Sequence, residues 1–226
     1  MTNAQNSVDR DDRAKAIAWL EQNLVTDANT LQQLDRFVGM LLEEAENQNL
    51  IARATQPIIW TRHIIDSAQL LLHVPRGTSS RWIDLGSGAG LPGLVNAILD
   101  PTSHFTLVER RPLRTDWLQR AASELGLDNV TVFTGPASAV PDQTFDVITA
   151  RAFAPMLKLV ELAKRFASGT TLWILPKGRS AADELEAVPS WQSMFHVEPS
   201  VTDDESGIIV GRLGQAGSRS KSGVRR

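Results

Sequence analysis

The 226-residue chain has no cysteine. Disulfides, thiolate metal sites and cysteine nucleophiles are thereby excluded, as fits a reducing cytoplasm. Long apolar runs are also missing: none approaches the roughly 18–20 residues that span a bilayer. The opening MTNAQNSVDRDDR is polar and lacks the apolar stretch of a secretory signal. A cytoplasmic protein without a membrane partner is expected. The four histidines (His63, His73, His104, His196) show no ligand spacing and H-E-x-x-H is absent, so no metal is expected. There is no G-x-S-x-G nucleophile elbow, since Leu85 stands two before Ser87. A basic excess is lacking too: the net charge of −3 argues against a dedicated nucleic-acid binder. The charge is uneven, however. No acid follows Glu205, whereas Arg212, Arg219, Lys221, Arg225 and Arg226 do. The Gly/Ser-rich segment 214–226 reads as a basic, disordered tail, either merely solvated or an electrostatic arm for a polyanion.

An apolar fraction of 42% suits a globular core, and the length suits one compact domain. Residues 10–24 and 30–46 carry apolar positions at helical spacing. Leu31, Leu34, Phe37, Val38, Leu41 and Leu42 form one face, and Pro57 opens a third helical pattern. Residues 1–76 are therefore expected to form an N-terminal helical cap. Residues 77–213 then alternate strand-like runs (81–85, 104–109, 129–134, 145–150, 171–176) with helical ones (91–99, 112–125, 155–167, 180–187). That alternation predicts an α/β fold: a Rossmann-like, mostly parallel twisted sheet with helices on both faces. Segments 194–200 and 207–213 fit an antiparallel edge hairpin.

In such a sheet ligands sit beyond the carboxyl ends of the strands. The first strand runs into Asp84-Leu85-Gly86-Ser87-Gly88-Ala89-Gly90-Leu91-Pro92-Gly93. Glycines there let the backbone approach a ligand, and the following helix start offers free N–H groups. A carboxylate two residues before the first glycine suits a cationic or hydroxyl-rich nucleoside better than a bare pyrophosphate. Glu109 ends the next strand, where a carboxylate can accept both ribose hydroxyls. Gly88-x-Gly90-x-x-Gly93 also matches the dinucleotide fingerprint, but Glu109 comes sooner than the usual spacing of about 20 residues. S-adenosylmethionine is the expected ligand, with S-adenosylhomocysteine as product; an NAD-dependent oxidoreductase is the rival.

Three stretches carry a resemblance. They are Asn49-Leu50 with Thr61-Arg62-His63-Ile64-Ile65-Asp66-Ser67, the glycine loop, and Thr149-Ala150-Arg151-Ala152-Phe153-Ala154-Pro155 with Lys177-Gly178. In these the chain resembles the bacterial 16S ribosomal RNA methyltransferase G family, also called glucose-inhibited division protein B. The resemblance implies a class I fold and methyl transfer from S-adenosylmethionine to N7 of a guanine in the 530 loop of 16S rRNA. It implies donor contacts at Gly86, Leu91, Ala137, Ser138 and Arg151, beside Asp84, Gly88, Gly90 and Glu109 from the residue reading. Three positions depart from the family pattern: Ser138 stands where an acid is usual, Leu113-Arg114 replaces Lys-Arg, and Ile51 replaces Thr.

The chemistry fits without a general base. Guanine N7 has a free lone pair, and the chain shows no candidate base dyad. Methylation at pyrimidine C5 needs a cysteine. Amine methylation commonly uses an Asn/Asp-Pro-Pro-aromatic tetrad, whereas this chain reads Ala150-Arg151-Ala152-Phe153. A different RNA or a small-molecule acceptor stays open, as does a non-catalytic nucleoside- or RNA-binding protein. Arg62 and Asp66, four apart, would share a helix face. They read either as an ion pair with buried His63, holding the cap to the sheet, or as a set in which Arg62 or His63 lines the acceptor pocket. Arg151 is placed on that side as well. Arg110, Arg111, Arg114 and Lys177 are candidate RNA-phosphate contacts. The partner is expected to be 16S rRNA or the small ribosomal subunit, met by a monomer.

Overall fold

The computed structural model describes residues 8–75, 77–187 and 194–213, and the basic tail 214–226 lies outside them. Helices α1 (Arg10–Asn23) and α2 (Ala28–Ala45) form where the apolar spacing predicts them. Each opens on an aspartate that accepts a backbone N–H, Asp9 from Asp11 and Asp27 from Thr30. Such side-chain caps satisfy donors that the first helical turn leaves free. α2 buries Leu34, Phe37, Val38, Leu41 and Leu42, the stripe visible in the sequence.

The third helical stretch is not a regular α-helix. Trp60–Ile65 winds as a π-helix, Asp66–Ala68 (α3) gives a single α turn and Gln69–His73 tightens to 3-10. Buried Asp12 of α1 caps its start, accepting from Trp60 N–H at 2.9 Å and Thr61 N–H at 3.2 Å. Wider π winding removes the rule that residues four apart share a face. The Arg62–Asp66 pair read from their spacing is accordingly not made. Arg62 faces Asp203 at 3.8 Å, and Asp66 faces Arg151 at 3.6 Å.

The strands are β1 (Arg81–Leu85), β2 (His104–Glu109), β3 (Val130–Thr134), β4 (Val147–Thr149), β5 (Leu172–Gly178), β6 (Phe195–Pro199) and β7 (Gly207–Gly211). They make one sheet in the order β3-β2-β1-β4-β5-β7-β6. β1 to β5 are parallel, and β7 runs antiparallel to both its neighbours, so the predicted edge hairpin is present. The connecting helices are α4 (Gly93–Leu99), α5 (Pro112–Glu124), α6 (Met156–Ala163) and α7 (Ala181–Glu186). The strand order reverses between β1 and β4. There the carboxyl ends open a crevice that no crossover covers.

Alternation along the strands divides the core. On β5, Leu172 and Ile174 enter one apolar layer while Trp173 and Leu175 enter the other; on β7, Ile208 and Val210 part from Ile209 in the same way. Period two with both faces covered is what a parallel sheet requires. The first layer holds α4, α5 and also α1, α2 and the Trp60 stretch, so the N-terminal helices thicken one face of the sheet. Phe37 of α2 stacks on Trp117 of α5 at 6.4 Å, and truncation of such a buried ring costs about 3–5 kcal/mol. The second layer is closed by α6 and α7.

Candidate active site

Two chambers meet at the carboxyl ends of β1, β2, β4 and β5. The smaller, about 450 Å³, runs from Gly86 and Glu109 to Gly135-Pro136-Ala137-Ser138 after β3, with Arg110, Arg111 and Arg114 at its mouth. The larger, about 760 Å³, is walled by Arg62, His63 and Asp66, by Arg151, by Pro176-Lys177-Gly178, and by Ser200, Ser206 and Gly207. Ala152-Phe153-Ala154 belongs to both and forms the partition between them.

One wall of the smaller chamber is glycine-loop backbone. Gly86, Gly88 and Gly90 take φ values of +76°, +51° and +89°, a left-handed conformation that L side chains seldom adopt. Glu109 braces this loop. Its Oε2 accepts from Gly88 N–H at 3.2 Å, and its Oε1 accepts from Arg110 N–H at 2.8 Å and Arg111 N–H at 2.9 Å. The carboxylate is thus oriented before any ligand arrives. Gly88, Gly90 and Leu91 shape the loop from behind; Leu91 itself is buried in the first core layer.

Asp84 lies deeper than its sequence position suggests. It is 2% exposed, with Oδ1 accepting from Thr149 Oγ1 at 2.9 Å and Oδ2 left without a partner. Burial pushes its carboxyl up to about 6, against the pull of Ser87, Thr149 and Arg151. That oxygen is packed against Gly93, where an added Cβ would fall 3.0 Å from it, and Asp84 lines neither chamber; it underlies the glycine loop. Gly86, the oriented Glu109 and the small side chains of Ala137 and Ser138 make a cradle above it that fits S-adenosylmethionine.

The larger chamber is built of side chains. Thr55 Oγ1–H donates to Ala52 O at 2.8 Å, so it must accept from His63 Nε2–H, also at 2.8 Å. That leaves His63 Nδ1 as an acceptor for Arg151 Nη1, 3.5 Å away. The two bonds agree on one tautomer, with Nε2 protonated. Burial, then the charges of Arg151 and Arg62, push the imidazole down to about 3, so it is neutral at physiological pH. Burial likewise presses the Arg151 guanidinium below its ordinary value, with Asp66 and Asp84 pulling it back.

Lys177 departs from the role expected of it. Its side chain is 7% exposed, and its Nζ donates to Ala154 O at 2.6 Å and pairs with Glu184 at 3.0 Å. Glu184 also accepts from Met156 N–H at 2.7 Å, at the start of α6. Burial works to raise the Glu184 carboxyl, but the bonds from Lys177, Met156 and Ser180 hold it below its ordinary value. The Lys177 ammonium is committed inside the protein, which corrects its assignment as an RNA-phosphate contact. Arg110 and Arg111 remain exposed. Arg114 is half-buried and donates to Asn49 O at 3.2 Å, tying the Asn49-Leu50 element to α5.

Glu184, Thr55, Asp203 and Phe153 were given no role from the sequence. Asp203 sits on an element remote from Arg62, and Glu184, though only seven residues from Lys177, lies on the next element, so no periodic spacing links them. Phe153 stood in the aromatic slot of the tetrad comparison, the one signal available. Among the described residues no group of His, Asp and Glu side chains could hold a metal, and no helix is long and apolar enough to cross a membrane.

Comparison with known proteins adds to this geometry. Residues 30–204 match the family described as rRNA small subunit methyltransferase G. The ribosomal RNA small subunit methyltransferase G of Novosphingobium aromaticivorans is 51% identical over 202 residues, covering 88% of this chain and 87% of that protein. Among solved structures, a methyltransferase from Geobacter sulfurreducens aligns with a TM-score of 0.56 and 16% identity, over 89% of this chain and 96% of that one. A point mutant of MtNAS in complex with S-adenosylmethionine aligns with a TM-score of 0.54 and 18% identity, over 93% and 88% of the respective chains. At these identities the structural likeness speaks for the fold alone, the Rossmann-like fold of class I methyltransferases.

Proposed function

Because the chain belongs to the rRNA small subunit methyltransferase G family, we propose that it transfers a methyl group from S-adenosylmethionine to N7 of a guanine in the 530 loop of 16S rRNA. The observation that carries this reading is the pair of chambers sharing one wall, one suited to a nucleoside with a cationic arm and one lined by polar groups around an opening.

The donor, when bound, supplies a methyl group made electrophilic by its sulfonium. Glu109 would accept the ribose hydroxyls, Asp84 would act on the cationic end through its charge from beneath the loop, and Gly86, Ala137 and Ser138 would line the nucleoside. Gly88, Gly90 and Leu91 hold the loop in shape. Deprotonation is not needed, since N7 presents a lone pair. The chain's work is alignment and exclusion of water, an effect that can reach roughly 7–11 kcal/mol. Arg62, His63 and Arg151 line the acceptor side. Arg62 offers N–H donors to guanine O6, an acceptor that guanidinium groups commonly read. His63 is held neutral by burial and takes no proton during the reaction. Arg110, Arg111 and Arg114 would receive RNA phosphates at the mouth of the donor chamber. In this reading the chain works as a monomer in the cytoplasm, on 16S rRNA or the small subunit.

The test is methylation of small-subunit rRNA from a strain lacking this gene, with purified protein and labelled S-adenosylmethionine. Label recovered as 7-methylguanosine at one site in the 530 loop is the expected result. Label in another nucleoside, or transfer only to small acceptors, would overturn the assignment of the acceptor. NAD(H) binding without S-adenosylhomocysteine binding would overturn the donor.

A further inference from the structure

We propose that Phe153 is the platform on which the acceptor purine stacks, and that Lys177 and Glu184 are positioning residues that hold it there. The inference rests on the reading of the two chambers as donor and acceptor sites. It goes further by naming a residue that distinguishes a flat aromatic acceptor from other nucleophiles.

Phe153 is the only aromatic among the described exposed large hydrophobic residues, at 38%, and it belongs to neither core layer. Its ring lies over the donor loop: a Cβ built on Gly86 would fall 2.6 Å from Phe153 Cδ2. The same side chain lines the acceptor chamber. A ring in this place touches the boundary that the methyl group must cross.

The backbone around the ring is held at both ends. Ala152 takes φ +49°, the only non-glycine residue with positive φ among the described residues. Such a conformation persists where its surroundings over-determine it. On one side Arg151 is anchored by Asp66 at 3.6 Å and by His63. On the other, Lys177 holds Ala154 O at 2.6 Å, and Glu184 joins Lys177 to Met156 N–H. Packing of Phe153 alone gives no reason to bury a lysine against a main-chain carbonyl there. Fixing the plane of an exposed ring between two ligands does.

The chemistry favours an aromatic ring at this boundary. The bond from sulfur to methyl breaks as the bond from N7 to methyl forms, and the positive charge passes from sulfonium to purine. An aromatic face attracts a cation through its ring quadrupole. Contact with the purine therefore strengthens as methylation proceeds, whereas an aliphatic side chain of similar volume gives no such gain.

The test compares Phe153→Leu, Phe153→Tyr and Phe153→Trp with the unaltered chain on rRNA lacking the modification. S-adenosylhomocysteine affinity is measured by calorimetry alongside kcat and KM. Loss of one base–aromatic contact predicts that kcat/KM of F153L falls roughly 5- to 150-fold, with part of the fall in kcat because the contact strengthens during transfer. S-adenosylhomocysteine affinity should stay within a few-fold, and F153Y and F153W should restore most of kcat. Lys177→Met should reproduce part of the F153L loss in kcat and shift KM little. A kcat/KM of F153L within about twofold of the unaltered chain would overturn the platform, as would tyrosine performing no better than leucine. A parallel fall in S-adenosylhomocysteine affinity would also overturn it, because the ring would then serve the donor. If the unaltered chain itself fails to methylate rRNA, the reading of the chambers falls, and the platform falls with it.

Discussion

The two chambers are built by different means. The smaller chamber takes one wall from a loop with φ values only glycine adopts freely, braced by one carboxylate at the end of the adjacent strand. The acceptor chamber takes its shape from side chains on segments scattered from Leu50 to Ile208, locked by ion pairs and by a neutral histidine. A site made of backbone is written locally. A site made of side chains exists only once the sheet has brought distant segments together. In the proposed reading the smaller chamber serves a constant donor and the larger one particular partner.

The same difference explains what could be read in advance. The Asp84–Gly93 loop, Glu109 and the five strand ends follow from strand period, glycine geometry and the rule that ligands sit at carboxyl ends. The edge hairpin and the α2 stripe followed from period as well. The partners of Arg62, Arg151 and Lys177 did not. The π winding of Trp60–Ile65 broke the four-residue rule, and the partner of Lys177 folds back onto its strand from the start of the next helix. A lone lysine at a strand end looks like a phosphate contact until Glu184 is seen beside it.

Substitution at Glu109 tests the backbone-built side and carries the largest expected effect. Glu109→Ala removes a charged acceptor, a loss of about 1.5–3 kcal/mol, or roughly 10–150-fold in donor affinity. Thermal stability should fall as well, since the buried Gly88 N–H loses its acceptor. Calorimetric titration with S-adenosylhomocysteine gives the answer; affinity within twofold of the unaltered chain would sink the ribose assignment.

Lys177→Met tests whether the side-chain-built side depends on its internal pairs. Removing one partner of a buried pair costs about 3–5 kcal/mol, and the partial exposure of Glu184 puts this pair at or below the lower figure. At about 2–4 °C per kcal/mol for a chain of this size, Tm should drop by several degrees, with roughly 6–12 °C as the ceiling. The salt dependence of RNA binding should not change. A lower salt slope with Tm intact would return Lys177 to the RNA surface.

pH sharpens the comparison, because a buried group beneath the glycine loop and one in the wall of the larger chamber titrate with opposite signs. His63 takes up a proton near 6.5 in the unfolded chain but only near 3 in the fold. Between those values the unfolded state binds more protons, so stability rises with pH. Asp84 titrates at about 6 in the fold against 3.8 unfolded. There the folded state binds more protons, so stability falls as pH rises. Each contributes up to about 1.4 kcal/mol per pH unit, and from about pH 4 to pH 6 they cancel. His63→Asn should therefore tilt stability downward with rising pH relative to the unaltered chain, and Asp84→Asn should tilt it upward. The double variant should be parallel to the unaltered chain. Urea unfolding across this window measures all four; parallel profiles for the single variants would mean that neither group titrates as its burial requires.

The smallest effects belong to the rim, where neither backbone strain nor buried pairs operate. Arg110 and Arg111 are exposed, and their main-chain N–H groups, not their guanidiniums, serve Glu109. Replacing either with glutamine leaves the loop brace intact and removes one phosphate contact. RNA affinity should fall a few-fold and the salt slope by about 0.7–0.9. Arg120 makes the control: it lies on the helix that follows them but is paired with Glu44 and stacked over Trp117. Arg120→Gln should lower stability by up to about 1 kcal/mol, with the salt slope unchanged. If all three variants change the slope alike, the cations act only through the overall field of the protein, and no phosphate path runs past the donor chamber.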